Sequence, residues 1–574
     1  MSSYIHDDVL ESLPGKKYQT DIHVTGNEEV NDSPIEEVRL IVPITDDPSQ
    51  PALTFRTWVL GLASCCLLAF VNQFFSYRQN RLSVGSVSAQ ILVLPMGKLM
   101  AATLPTKVVR FPFTNWTFSL NPGPFNLKEH VLITIFASCG ASGVYAVSII
   151  TIVKAFYHRS LNLVAAMLLA QTTQLLGYGW AGLLRKYLVD SPYMWWPANL
   201  VQQLGSGLHG FGNGSFGRDW STVAGFLGGP LATPLFAIVN ILIGFFLFLS
   251  VLVPIAYWTN AYEARKFPIM TSKTYDSTGK IYKISRILNE KTFDLNQAAY
   301  DNYSKLYVSV LFAFTYGLSF ATLMASISHV ALFEGHAIWK MWKKTTIAAK
   351  DQFGDVHTRM MKKNYEAVPQ WWFYTILILT VILSIYCLES FDKQLQLPWW
   401  GLLFACVMAF SFTLPVGIIQ ATTNLQPGLN VITELVIGYM IPGKPLANVA
   451  FKTYGYISMS QALGFLSDFK LGHYMKIPPR SMFIVQLVGT IAASTVYFCT
   501  SWWLLTSIDH ICDKSLLPVG SPWTCPSDQV FYNASIIWGV VGPRRMFTKE
   551  GIYPELNWFF LIGLLSPVPV WLLL

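Results

Sequence analysis

Charge is scarce in this chain. Asp, Glu, Lys and Arg make up 13% of its 574 residues, whereas a soluble globular domain carries about 25%. Together with 52% hydrophobic residues, the scarcity excludes an ordinary soluble protein and points to one integrated membrane bundle. No GxxxxGK followed by Ser or Thr is present, which disfavours an ATP-driven pump. Neither HExxH nor paired CxxC occurs, so no metal enzyme is evident. No filter sequence or ring of like charge marks an ion channel. The start lacks the basic and short apolar regions of a cleaved signal peptide. A carrier driven by an ion gradient remains.

What is present fits that class. Nineteen Trp and 38 Phe suit many membrane interfaces, where aromatic rings settle at headgroup depth. Uncharged runs cover Thr57–Tyr77, Val131–Val153, Ser160–Leu184, Trp220–Tyr262, Leu306–Phe333, Trp371–Leu388, Gln394–Thr433, Ser481–Ile508 and Leu556–Leu574. Each reaches the ~18 residues of a spanning helix. Leu82–Leu104, interrupted by Lys98, is a weaker span. Pro427-Gly428, Pro442 and Pro445 predict broken helices over 425–467. The expected fold is all-α, a polytopic helical bundle of about twelve crossings with broken or re-entrant helices. Residues 1–52 hold eleven acids and three bases and read as a disordered acidic cytoplasmic tail. Residues 53–574 form the transmembrane domain.

Loop charge sets the orientation. Trp339–Gln370 carries seven Lys/Arg and is expected in the cytoplasm. Counting crossings from there places the N-terminus and Lys476–Arg480 inside and Asp509–Glu555 outside. That outer loop holds Cys512 and Cys525, as a disulfide or as two free thiols, and a glycosylation acceptor at Asn533. The other six Cys read as packing residues. Glu263–Lys305, with eight Lys/Arg and an acceptor at Asn302, falls outside by this count, against the charge rule.

Two motifs stand at helix starts. Asn121-Pro122-Gly123-Pro124-Phe125 is followed by Lys128-Glu129-His130, and Lys476-Ile477-Pro478-Pro479-Arg480 lies far downstream. They resemble the paired signatures NPGPFxxKEH and KIPPR of the oligopeptide transporter family, in its peptide branch and with a plant-like character. Gly177–Gly182, Met194–Leu200, Gln203–Gly210, Phe267–Ile269, Gln426–Asn430 and Gly443–Ala462 are similar to the same family. The resemblance covers roughly residues 35–574. It implies proton-coupled symport of small peptides or peptide-like compounds such as tetrapeptides, pentapeptides and glutathione. A metal-chelate cargo of iron or copper is the alternative within the family. By comparison with that pattern, an internal segment after Leu200 and the C-terminal end are expected to be missing. A non-transporting partner subunit is therefore the reading from another class. No catalytic residue, resident metal, cofactor or nucleic-acid partner is expected. The partners are substrate, protons and the bilayer, with the plasma membrane as the expected location and the oligomeric state open.

Ionisable residues at depth are costly in a bilayer, which makes them functional candidates. Glu434 lies in an apolar stretch after the Pro-Gly break and is the first candidate for proton coupling. Its alternative is neutralisation by Lys444 or a backbone donor. His329 and Glu334 are further proton candidates, or residues that close a helix at the interface. His209, Lys444, Lys452, Tyr454 and Tyr456 are substrate-binding candidates near re-entrant or broken segments. Against that, Lys444 would snorkel to an interface. Lys128, Glu129, Lys476 and Arg480 are expected to anchor helix boundaries rather than touch cargo.

Overall fold

The computed structural model describes residues 31–110, 117–197, 235–289, 292–336, 339, 355–513 and 516–573. Among these, nine helices are long and apolar enough to cross a bilayer. They are Phe55–Ser76, Ser86–Thr103, Leu127–Phe156, Ala237–Trp258, Val310–Glu334, Gln370–Glu389, Trp399–Thr423, Pro479–Ser507 and Pro554–Leu573. Helices answer the uncharged runs because each backbone donor finds its acceptor within the segment. Side chains begin several of them: Thr54 accepts from the Thr57 N–H, Ser309 from Phe312, and Asn126 forms a capping box with Glu129. Outward-facing Phe245, Phe246, Ile378, Ile382 and Val407 are exposed, as lipid contact requires. β-structure among the described residues is confined to two short hairpins.

The run Ser160–Leu184 becomes two helices, Leu163–Leu175 and Tyr178–Leu188. They meet at Gly177, whose missing Cβ lets the chain lie against the Ser458 carbonyl and the Ala462 N–H. Small residues permit such close backbone approach between membrane helices. Gly177→Ala should therefore lower stability by about 1–3 kcal/mol, read as an earlier thermal transition in detergent.

The broken region takes a definite form. Asn430–Met440 is a short apolar helix. Pro445–Lys452 then runs through a π-helical turn, Thr453–Ile457, into Ser458–Tyr474. Together residues 445–474 rise ~45 Å at 1.5 Å per residue, enough for a crossing with its irregular turn near the middle.

Loop contacts divide the molecule into two faces. On one, Tyr77 accepts from the Cys525 N–H (2.9 Å), and Cys525 is disulfide-bonded to Cys512 with Cα atoms 5.0 Å apart. Lys154 and His158 share a surface cleft on this face with Asp509 and His510. The loop after Phe156 joins it through the Asn162 N–H, which donates to Gln394 Oε1 (3.0 Å). On the opposite face, Lys470 donates to the Val189 and Ser191 carbonyls, Thr358 to Asp190, and Arg480 pairs with Glu366. The basic Glu263–Lys305 loop meets the disulfide face. Gln396 donates to the Phe293 carbonyl (3.0 Å), Arg159 lies over the Phe293 ring, and Leu295 N–H donates to Gly443. This loop therefore shares one face with Cys512 and Cys525, as the crossing count expects.

Two sequence expectations need correction. The part of the acidic tail within the described residues is ordered. Glu36–Ile41 is helical, Val38 and Val42 are buried, and Asp32 and Asp46 form ion pairs with Arg359 and Lys128. Those cationic partners offset the acidic composition that argued for disorder. Asn533 is no accessible glycosylation acceptor. It is 4% exposed, and its amide donates to the Ser272 carbonyl at 3.0 Å. Asn302 is exposed on the helix Gln297–Tyr303.

Candidate functional site

Glu434 sits in the second turn of Asn430–Met440, and Lys452 ends the helix entering the π turn. Their side chains are 2% and 3% exposed and meet at 2.6 Å. Asn448, one turn before Lys452, donates to the Glu434 and Trp538 carbonyls (2.9 and 3.2 Å). The Lys452 ammonium also lies 4.2 Å from the Phe531 ring centre and 5.6 Å from that of Tyr145. Both charges are thus taken out of water. Their attraction must offset a desolvation cost of several kcal/mol for each ion. A π turn inside an α-helix frequently marks a functional site. Here it follows directly on the lysine.

Beside the pair lies a cavity of about 420 Å³, within the 300–1,000 Å³ range of small-ligand sites. Tyr145 is the shared wall: its ring approaches Lys452 on one side and packs edge-on against Tyr456 on the other. Gln174 and Gln461 bound the cavity and bond to each other at 2.6 Å. Arg81 brings a guanidinium to the lining and Asp528 a carboxyl group that burial pushes up to about 7. Arg81 bonds Ser527 at the exposed mouth, and Asp528 is 5% exposed. From the cavity a polar stripe continues down Ser458–Tyr474. Gln461, Gly464 and Asp468 recur at three- and four-residue spacing, which places them on one helix face, with Ser460 one turn before Gly464. A Cβ at Gly464 would meet nothing within 4 Å. Asp468 accepts from Gln486 at 2.8 Å.

The other predicted residues have separate fates. Tyr456 lines the cavity, whereas Tyr454 is fully buried and bonds Thr172 at 3.1 Å. Lys444 is exposed at the disulfide face, so the partner of Glu434 is Lys452 and not Lys444. His329 packs against Phe333 in a tilted arrangement, with ring centres 4.6 Å apart. It lies ~20 Å along its helix from Tyr316, which packs against Trp538 beside the ion pair. Glu334 lies farther still, so both fall away from Glu434. His209 lies outside the described residues.

The two motifs build boundaries. Arg56, unremarked in the sequence, is the hub of the first. Its guanidinium donates to both Glu129 oxygens (3.0 Å each), to Asn121 Oδ1 (3.2 Å) and to the Gly123 carbonyl (2.9 Å). Thr54 adds a hydrogen bond to Glu129. Gly123 holds φ +137°, a backbone conformation natural only to glycine. Lys128 gathers Asp46, the Asp47 carbonyl and the Tyr365 hydroxyl. In the second motif Lys476 is buried and donates to His357 Nδ1 at 2.9 Å. Burial pushes the Lys476 ammonium down to about 8 and the His357 imidazole down to about 4, the latter also repelled by Lys476. Pro479 opens the helix Pro479–Ser507 at its first turn.

Sequence comparison now gives the family. The description "OPT oligopeptide transporter protein" matches residues 52–204 and 201–574. Oligopeptide transporter 1 of Arabidopsis thaliana is 64% identical, covering 97% of this chain and 82% of the relative. Oligopeptide transporter 5 is 62% identical with 97% and 83% coverage, and oligopeptide transporter 3 is 45% identical with the same coverage. The first alignment runs over 622 positions, more than the chain's 574 residues, so that relative carries sequence this chain lacks. The family match is itself seamed at 201–204, where the sequence pattern had placed the missing segment. The chain belongs to the oligopeptide transporter family.

Proposed function

We propose that this chain is a proton-coupled importer of small peptides or peptide-like compounds, working by alternating access with its N-terminus in the cytoplasm of a plasma-membrane protein. The observation that carries the reading is the 420 Å³ cavity, lined by Arg81 and Asp528 and separated by Tyr145 from the buried Glu434–Lys452 pair. A peptide is a zwitterion. Its amine suits Asp528, its carboxylate suits Arg81, and its backbone amides suit Gln174, Gln461 and the tyrosine hydroxyls. Protonation of Glu434 would release Lys452 from its partner, so proton and cargo act on adjoining elements. The stripe through Gly464 to Asp468 offers a polar route toward the basic face. Family membership and the names of the relatives support a peptide cargo.

The amine contact has a direct test. Asp528→Asn should weaken uptake of a free tetrapeptide by at least about tenfold, the loss of one charge-assisted contact. Uptake of the N-acetylated peptide should change little. Equal loss for both peptides would remove Asp528 from amine recognition.

A second reading rests on the seam at 201–204. A chain without the segment there would serve as a non-transporting partner of a longer family member. It would co-purify with that protein and show no uptake alone.

A further inference from the structure

A second cavity, of about 200 Å³, opens on the basic face, apart from the ion pair. Arg185, Lys186, Lys362 and His473 line it, with Asp190 as the one carboxylate. Arg185 and Asp190 approach only to 3.8 Å. Behind the wall lie Lys470 and Lys476, 1% and 2% exposed. The Lys470 ammonium ends on the Val189 and Ser191 carbonyls, and that of Lys476 on His357 and two carbonyls. Neither forms a salt bridge among the described residues. Asp355 and Asp190 lie within electrostatic reach of Lys470, and Asp355 and Asp46 within reach of Lys476, so the positive field in the cavity comes chiefly from Arg185, Lys186 and Lys362 on its lining.

Two helix starts add to that field. Gln370 and Pro479 line the same cavity, and their helices begin after Pro369 and Pro478 without a side-chain cap. The Trp372, Ser481 and Met482 N–H groups donate back to the Pro369 and Pro478 carbonyls and Pro479 has no N–H, so what these starts offer an anion is the partial positive charge of the two helix N-termini. Trp371 and Tyr374, exposed at 64% and 44%, place an aromatic membrane interface beside the mouth. An anionic headgroup in the adjoining leaflet can therefore reach the basic side chains.

We propose that this cavity is a binding site for a phosphate-bearing anion, held by Arg185, Lys186 and Lys362 over the ends of Tyr178–Leu188 and Val356–Asn364. The same chemistry is offered by an anionic lipid headgroup and by free phosphate. The site is independent of the transported cargo.

The test uses the full chain purified in detergent. Short-chain phosphatidic acid, phosphatidylcholine of equal chain length and inorganic phosphate are each titrated, with thermal shift and native mass spectrometry as readouts. Phosphatidic acid should bind and phosphatidylcholine should not. Arg185→Gln/Lys362→Gln should weaken that binding at least about tenfold. Lys273→Gln/Lys280→Gln, the same charge loss on the other face, should leave it unchanged. Lys362→Gln alone, at an exposed position, guards against misfolding of the double variant and should show an intermediate loss. Stabilisation by inorganic phosphate alone, lost in the double variant, supports the site with a soluble ligand. Equal binding by the double variant, or no response to either phosphate compound, overturns it.

Discussion

Lys452→Met is expected to lower stability by about 3–5 kcal/mol, because it leaves a carboxylate buried without its counter-charge. Glu434 is 2% exposed and has no other cation at salt-bridge distance among the described residues, so water cannot take over. Glu434→Gln/Lys452→Met should recover most of that loss, since neither uncompensated charge remains. The double variant should nevertheless fail to couple uptake to a proton gradient. Thermal unfolding in detergent, paired with uptake on the same preparations, checks both halves. If the single and double variants were equally destabilised, the two residues would not act as a pair. Asn448 is a useful control. Its amide bridges the Glu434 and Trp538 carbonyls, so Asn448→Ala should cost about 1–3 kcal/mol through unsatisfied carbonyls.

Arg56→Lys should be nearly as damaging as Arg56→Met, a loss of about 3–5 kcal/mol, although it keeps the charge. The guanidinium spans Glu129, Asn121 Oδ1 and the Gly123 carbonyl at once. A lysine is a point charge on a flexible stem and cannot reproduce that fork. Glu129 has a second duty, because its Oε2 accepts from the Asn126 N–H in the capping box. The charge swap Arg56→Glu/Glu129→Arg should therefore not rescue folding. Recovery of monodisperse protein from membranes, compared across the four chains, measures this. A stable swap variant would reduce the motif to simple charge pairing.

The spans were legible because long uncharged runs admit few solutions in a bilayer. The breaks were legible from Pro427-Gly428, Pro442 and Pro445. The split at Gly177 was not, because a glycine in an apolar run carries no sign of the backbone it will touch. Glu434 stood out as a charge in apolar surroundings. Its partner could not be chosen from sequence, since Lys444 and Lys452 lie near the same breaks and only the helical register buries one and exposes the other. Arg56 went unnoticed at the edge of a run, where basic residues normally meet headgroups. Its three partners lie more than sixty residues away. Asp528 was read as part of an outer loop, yet the helix Pro526–Ala534 packs it inward. The stretch 31–52 misled through composition, because Asp32 and Asp46 there pair with Arg359 and Lys128 on other segments.

Accumulation of a labelled tetrapeptide in proteoliposomes, driven by an imposed inward proton gradient, tests the account most directly. The unaltered chain should concentrate peptide only with the gradient present. Glu434→Gln, correctly folded, should exchange peptide across the membrane but gain nothing from the gradient. Gradient-driven accumulation by Glu434→Gln at every pH would contradict the coupling role of the buried pair. Absence of any uptake by the unaltered chain would contradict transport itself and favour the partner-subunit reading.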